Sequence, residues 1–295
     1  MQTSQFNQTN FKLGQTQQWD NVAQGWLKWW STLEPMTHDV SDELINLARI
    51  SDGDMVLDLA TGIGEPALSI AAVVGESGFV FATDQSVHML EIARERGKDF
   101  ANVAFETMDA EDIKIDQMVT ERHLYFKSNQ MDAVTCRFGL MFMPDVNMAL
   151  SKIYRLLKPG AVFATSVWDK PELTPFFSFS VKVMQSLIDI PKPAAAAPTM
   201  FGLANGVLEQ KMTEAGFTKV TSHSVMVNFK FDHAQQFVSL MQDIAAPLSN
   251  MLANESEATK QQYWQLLEKK VTEQFSLADG GISLPSSSLC ISGEK

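Results

Sequence analysis

The chain has 295 residues, 45% of them hydrophobic and 20% charged, which suits a folded domain with a sizeable core and excludes a disulfide-stapled miniprotein, a disordered tail or a coiled-coil repeat. Lys and Arg total 23 against 35 Asp and Glu, and the resulting net charge of −12 repels a phosphate backbone, so no nucleic-acid partner is expected. No apolar run approaches the roughly 20 residues of a membrane span, the N-terminus has no secretory h-region, and Cys136 and Cys290 fit no metal or disulfide pattern, so a cytoplasmic, reducing compartment is expected.

Along the N-terminal stretch, Trp19, Val22, Ala23, Trp26, Leu27 and Trp30 recur at i, i+3, i+4, i+7 spacing, which predicts an amphipathic helix. A second helix is expected near 42–50, with His38 in the linker between the two. From Met55 onward, short apolar runs alternate with amphipathic stretches, the pattern of strand–helix–strand units around a parallel sheet. Strands are expected at 55–60, 79–83, 103–108, 132–137, 161–167 and 220–229, with a last one at 288–292. Helices fall between them at 65–74, at 86–98 behind a Ser cap, and at 146–157, where Lys158-Pro159-Gly160 stops the helix. Residues 168–205, with the tract PKPAAAAP, read as a long excursion, and 232–281 as mostly helical. The fold class is therefore α/β, a doubly wound, mostly parallel sheet.

The informative stretch is VLDLATGIGEPA, from Val56 to Ala67. A strand that ends in GxG and opens a helix lets the backbone approach a nucleoside, because glycine has no Cβ and tolerates positive φ. Asp84 ends the second strand, where a carboxylate can accept from both ribose hydroxyls, and Asp109 follows the third. Together they outline an adenosine pocket. A dinucleotide site would also have to neutralise a pyrophosphate with bare helix N–H groups. Here the helix opens with Glu65-Pro66, which adds a negative charge and removes a donor, and Asp58 stands four residues before Gly62, so the site suits a cation.

These residues resemble the class I S-adenosylmethionine-dependent methyltransferases, nearest to the small-molecule branch of ubiquinone and menaquinone biosynthesis. The likeness runs from Met55 to about Trp168 through VLDLATGIGEPAL, ATDQSVHMLEIARERG, MDAED, MDAVTCRFGLMFMPD and YRLLKPGAVFATSVW. It implies a seven-stranded Rossmann-like methyltransferase fold with N-terminal helices and a mostly helical cap. Residues 1–50 would form an N-terminal helical cap segment, 51–168 the S-adenosylmethionine-binding core, and 169–295 substrate-cap insertions plus the last two strands. It also implies S-adenosylmethionine as cofactor. Asp58, Gly62 and Gly64 would surround the methionine moiety, Asp84 the ribose, Gln85 and Met89 the adenine face, and Asp109 with Ala110 the adenine edge, with Ala60 and Thr61 also binding the cofactor. Arg137 would lie near the sulfonium-facing end. Two features depart from the pattern: an insertion over 114–130, and Arg137 where relatives carry a small polar residue.

The expected reaction is methyl transfer to a small organic acceptor, with release of S-adenosylhomocysteine. The donor is already activated, so the protein mainly has to align the partners and exclude water. Tryptophans and the Phe176, Phe177, Phe179 cluster predict an aromatic-lined acceptor pocket with Trp29, Trp30, His38 and Phe176 as candidates, suited to an aromatic or quinol ring or to an amine. Arg137 stands open between ion-pair partner, substrate-carboxylate clamp and surface residue. No catalytic base is assigned, and the five histidines show no metal-ligand spacing. A nicotinamide-dependent oxidoreductase and a non-catalytic S-adenosylmethionine-binding protein are the alternatives.

Overall fold

The computed structural model describes residues 6–115, 126–190, 193–194 and 196–295. Most of the insertion expected over 114–130, His123 with it, and part of the Pro-Ala tract lie outside these residues. The order of elements is α1 (Gln8–Leu47), β1 (Met55–Leu59), α2 (Ala67–Val74), β2 (Phe79–Asp84), α3 (Val87–Arg96), β3 (Val103–Thr107), β4 (Met131–Arg137), α4 (Val146–Leu156), β5 (Leu157–Trp168), α5 (Pro175–Gln185), α6 (Val207–Glu214), β6 (Thr218–Phe231), α7 (Ala234–Ile244), α8 (Ala246–Leu252), α9 (Glu257–Phe275) and β7 (Ile282–Glu294).

The seven strands form one sheet in the order β3-β2-β1-β4-β5-β7-β6. β1 to β5 pair in parallel, and β7 runs antiparallel to both β5 and β6. The doubly wound, mostly parallel sheet expected from the sequence is thus present. β1 and β4 are neighbours although two strands, β2 and β3, lie between them in the chain, so the connections leave β1 toward one edge and β4 toward the other. Their loops diverge at the carboxyl ends, and a crevice opens there. Val56, Leu57, Leu59, Ala133, Val134, Phe163 and Ala164 are fully buried, as expected for central strands covered on both faces.

The N-terminal region differs from expectation. It is not two helices with a linker but one helix of 40 residues, about 60 Å long. Pro35 sits inside it. Proline removes the amide that would bond to the carbonyl of Ser31, but both residues are exposed, so water can serve that carbonyl and the helix continues. The C-terminal part of α1 lies across β4 to β7, and its earlier turns pack on α3, α7 and α8. The first turns, capped by the Asn7 side chain, which accepts from Asn10 N at 2.9 Å, reach over the carboxyl edge of β2 and β3. No helix among the described residues is long and apolar enough to cross a membrane.

Candidate active site

Asp58 is the one charged residue of a strand that is otherwise apolar and buried. Register places it opposite Thr135 of β4, whose hydroxyl donates to Asp58 Oδ1 at 2.7 Å. The second oxygen, Oδ2, is buried and has no hydrogen-bond partner, and neither has the buried hydroxyl of Thr61. Burial pushes the Asp58 carboxyl up to about 7, against the opposing pull of the Thr135 hydrogen bond, the adjacent Thr61 hydroxyl and the Arg137 charge. A buried oxygen without a donor is costly unless a ligand supplies one.

The turn after β1 is built for close approach. Ala60, Gly62 and Gly64 have φ of 54°, 58° and 107°. At Gly64 a side chain would be strained and its Cβ would press on Leu68 at 3.2 Å, whereas a Cβ at Gly62 would meet nothing within 4 Å, so the backbone there faces open space. The amide of Gly62 donates to Asp84 Oδ2 at 2.9 Å, and Ser86 N donates to Oδ1 at 2.8 Å. One carboxylate at the end of β2 therefore ties two loops together. Burial raises the Asp84 pKa, and the backbone donors oppose that shift. Gln85 accepts from Thr16 at 3.2 Å. Met89 and Ala110 are buried, Met89 among Val22, Ala23, Ile63, Ile92 and Ala246. Asp109 accepts from the amide of Glu111 and from Lys12 Nζ at 2.7 Å, and Glu111 also pairs with Lys12.

The structure thus brings Asp58, Ala60, Thr61, Gly62, Gly64, Asp84, Gln85 and Asp109 to one carboxyl edge. Glu65 is a correction to the sequence argument. It is not a free anion, because Arg96 pairs with it at 3.2 Å and also donates to the carbonyl of Ile63, so Asp58 carries the negative character of the turn. Lys12, Thr16 and Asp20, whose carboxylate accepts from Ser86 Oγ at 2.6 Å, are site neighbours missed in the sequence. Their i, i+4, i+8 spacing was the available signal.

The acceptor-side expectations fare differently. Trp29 is anchored to α7, its Nε1 donating to Asp243 Oδ2 at 2.7 Å. Trp30 lies under the Arg96 guanidinium at 4.2 Å. His38 is exposed on α1 between Glu34 (2.9 Å) and Asp42 (3.5 Å), with no linker around it. Phe176 is 1% exposed and stacked on Phe229 at 3.6 Å, so its ring is spent on the core. The aromatic groups near the crevice are others: Trp19 and Phe142 meet edge to face at 5.2 Å, and Phe138 stacks on Trp168 at 4.2 Å. Arg137 ends β4 and reaches α1, its Nη1 donating to Ser41 Oγ at 3.1 Å and more weakly to Thr37 Oγ1 at 3.4 Å.

Comparison with known proteins bears on this geometry. The chain is 30% identical over 145 residues to a 2-phytyl-1,4-naphtoquinone methyltransferase of Nostoc punctiforme, a match covering 49% of this chain and 59% of that protein. It is 32% identical over 146 residues to the ubiquinone/menaquinone biosynthesis C-methyltransferase UbiE of Haemophilus ducreyi, covering 46% and 52%. The matched region thus spans little more than half the length of these relatives. In fold, it is similar to the YcgJ protein of Bacillus subtilis, with a TM-score of 0.54 and 17% identity over 88% of this chain and 98% of that one. The model of the ubiE/COQ5 methyltransferase family matches residues 33–190, and the chain belongs to that family.

Proposed function

We propose that the protein transfers the methyl group of S-adenosylmethionine to a small aromatic acceptor. The observation that carries this reading is the buried pair Asp58 Oδ2 and Thr61 Oγ1, adjacent but without a well-formed hydrogen bond, beside the open space over Gly62. They fit the ammonium of a methionine moiety, which supplies the missing donors. Asp84 takes the ribose hydroxyls, Gln85 and Met89 the adenine face, and Asp109 with Ala110 the adenine edge. When bound, S-adenosylmethionine supplies a methyl group on a sulfonium, a leaving group that needs no further activation.

The chain's own work is to bind, orient and exclude water. The first turns of α1 cover the adenosine side, held by Lys12 on Asp109 and Glu111 and by Thr16 on Gln85. Asp109 reaches an adenine edge once Lys12 yields one of its oxygens. An aromatic acceptor is favoured over an amine on two grounds. The curated relatives are named for quinone-ring substrates, and a protonated amine would meet the cation of Arg137 at the end of β4.

Calorimetry with S-adenosylhomocysteine, S-adenosylmethionine and NADH on the chain and on Asp84→Ala tests the reading. Binding of the adenosyl pair, lost by at least about tenfold in the variant, is expected. Methyl transfer to naphthoquinols, followed by mass spectrometry, then separates an enzyme from a mere binder. Binding of NADH alone would overturn the proposal.

A further inference from the structure

The proposed reaction leaves one deep cation without a task. Arg137 stands two residues beyond Thr135 on β4, hence on the same face of the strand and about 7 Å nearer the carboxyl edge, above the Asp58 carboxylate. Its two hydrogen bonds both use Nη1 and both end on neutral hydroxyls of α1, Thr37 and Ser41. Nη2 and Nε have no hydrogen-bond partner among the described residues, and no carboxylate there comes within 4 Å of the guanidinium. The nearby acids make their own contacts, Glu65 with Arg96, Glu34 with His38 and one oxygen of Asp58 with Thr135, so their charges act on the guanidinium without a hydrogen bond to it. Burial lowers the arginine's pKa against the opposing charges of Glu65, Asp58 and Glu34, and part of its side chain stays accessible, as for a group lining a recess. A buried guanidinium is ordinarily paired, because its donors are fixed in a fork that matches two oxygens.

The carboxyl ends of β4 and β5 around it are rich in rings. Phe138, the next residue, has φ 57° and lies face to face with the buried Trp168 at 4.2 Å and 13°, and Phe177 leans on Trp168 at 5.1 Å, which leaves Phe138 and Phe177 half-buried. A cationic fork next in the chain to half-buried rings suits a flat ring that bears an anionic oxygen. We propose that Arg137 receives the oxyanion of the methyl acceptor, a phenolate held beside Phe138. This rests on the methyl-transfer reading and names the ionisation state of its substrate.

The consequence is a reaction that needs no protein base. On binding, the phenol's proton goes to solvent, and the guanidinium holds the resulting charge. The oxygen, or a ring carbon made electron-rich by it, forms the new bond to the methyl carbon while the carbon–sulfur electron pair returns to sulfur. Sulfonium and phenolate are neutralised together. Where carbon attacks, the ring hydrogen then leaves as a proton to water.

The test uses the full chain saturated with S-adenosylhomocysteine and three probes on one ring, 4-nitrophenolate, whose ionisation is read from its absorbance, and two neutral compounds that bracket it in size, the larger 4-nitroanisole and the smaller nitrobenzene. Expected is binding of the phenolate at least about tenfold tighter than either neutral probe, lost in Arg137→Met and partly kept in Arg137→Lys. Equal binding of all three, binding of none, or phenolate binding that survives Arg137→Met overturns the proposal. If Arg137→Met does not fold, the probe comparison on the wild type and the Lys variant decide alone. A second arm compares S-adenosylhomocysteine with 5′-methylthioadenosine, which lacks the amino-acid end. Should Arg137→Met weaken only the former, the arginine holds the donor's carboxylate and the proposal falls. Failure of S-adenosylhomocysteine to bind the wild type would instead sink the methyl-transfer reading.

Discussion

Thr135 donates its hydroxyl hydrogen to one oxygen of Asp58 at 2.7 Å and leaves the other, buried between β1 and β4, without a partner. Burial raises the folded-state pKa of this carboxyl to about 7 from 3.8. Below about pH 4 both folded and unfolded chains hold the proton, and above 7 the folded chain carries a buried charge, so this group's contribution to stability declines as pH rises between those limits. A ligand ammonium reverses the preference, because it needs the ionised form. Affinity for S-adenosylhomocysteine is expected to fall below pH 7 by about tenfold per unit, and Asp58→Asn to weaken binding at pH 8 and flatten the profile. Calorimetry from about pH 5.5 to 8.5 checks this. A wild-type profile as flat as the variant's would count against the role of Asp58.

Trp29 belongs to the scaffold rather than to an acceptor pocket. Its indole N–H reaches Asp243, and Gly25, one turn earlier, lets α1 approach α7 so closely that a Cβ there would lie 2.1 Å from the Asp243 carbonyl oxygen. Trp29→Phe is expected to cost about 1 kcal/mol of stability and Trp29→Ala about 3 kcal/mol, with donor affinity unchanged. Urea titration and calorimetry measure the two quantities separately. An affinity loss without a stability loss would return Trp29 to the binding site.

The contrast between these residues shows what a sequence displays. The parallel strands were legible as apolar runs, and Asp58 and Asp84 stood out as acids at the level where such strands end, whereas β7, expected only at 288–292, runs over Ile282–Glu294 because its Ser-rich first half carries no apolar run. The partners of those acids were not legible: Lys12 meets Asp109 across 97 positions, and Arg96 neutralises Glu65 across 31. Periodicity cannot tell a ring that faces a recess from one that faces the core, so Phe176 read as pocket and Phe138 went unnoticed. The single helix α1 was not legible either: Pro35 removes an amide, but at an exposed position that loss is served by water and the helix runs through it.

Lys12 closes the first turns of α1 over the site. Burial disfavours its charge, but the hydrogen bonds to Asp109 and Glu111 outweigh that and raise its pKa. Lys12→Met is expected to speed amide exchange over 8–20 and to raise S-adenosylhomocysteine affinity about fivefold, since Asp109 no longer has to be released and an ion pair this accessible is worth about 1 kcal/mol. Exchange mass spectrometry reads the first effect and calorimetry the second. A fall in affinity would mean that Lys12 contributes to the bound state instead.

Phe138 holds a left-handed backbone at the end of β4, with its amide bonded to the carbonyl of Ser166 at 3.0 Å and to Oγ at 3.2 Å. Beside it, a Cβ on Gly139 would lie 2.5 Å from the Ala60 Cβ, so the β1 and β4 turns fit too closely for the backbone to relax. A bulky residue at positive φ costs about 1 kcal/mol or more relative to glycine. Replacing Phe138 removes its stack on Trp168 equally in Phe138→Ala and Phe138→Gly, but only glycine relieves the strain. Although glycine is the more flexible residue when unfolded, Phe138→Gly is expected to be the more stable variant by about 0.5–1 kcal/mol in urea titration. The reverse order would show that the turn relaxes once the ring is gone, and that the Phe138–Trp168 contact, not the close fit of the two turns, sets the backbone that aims Arg137.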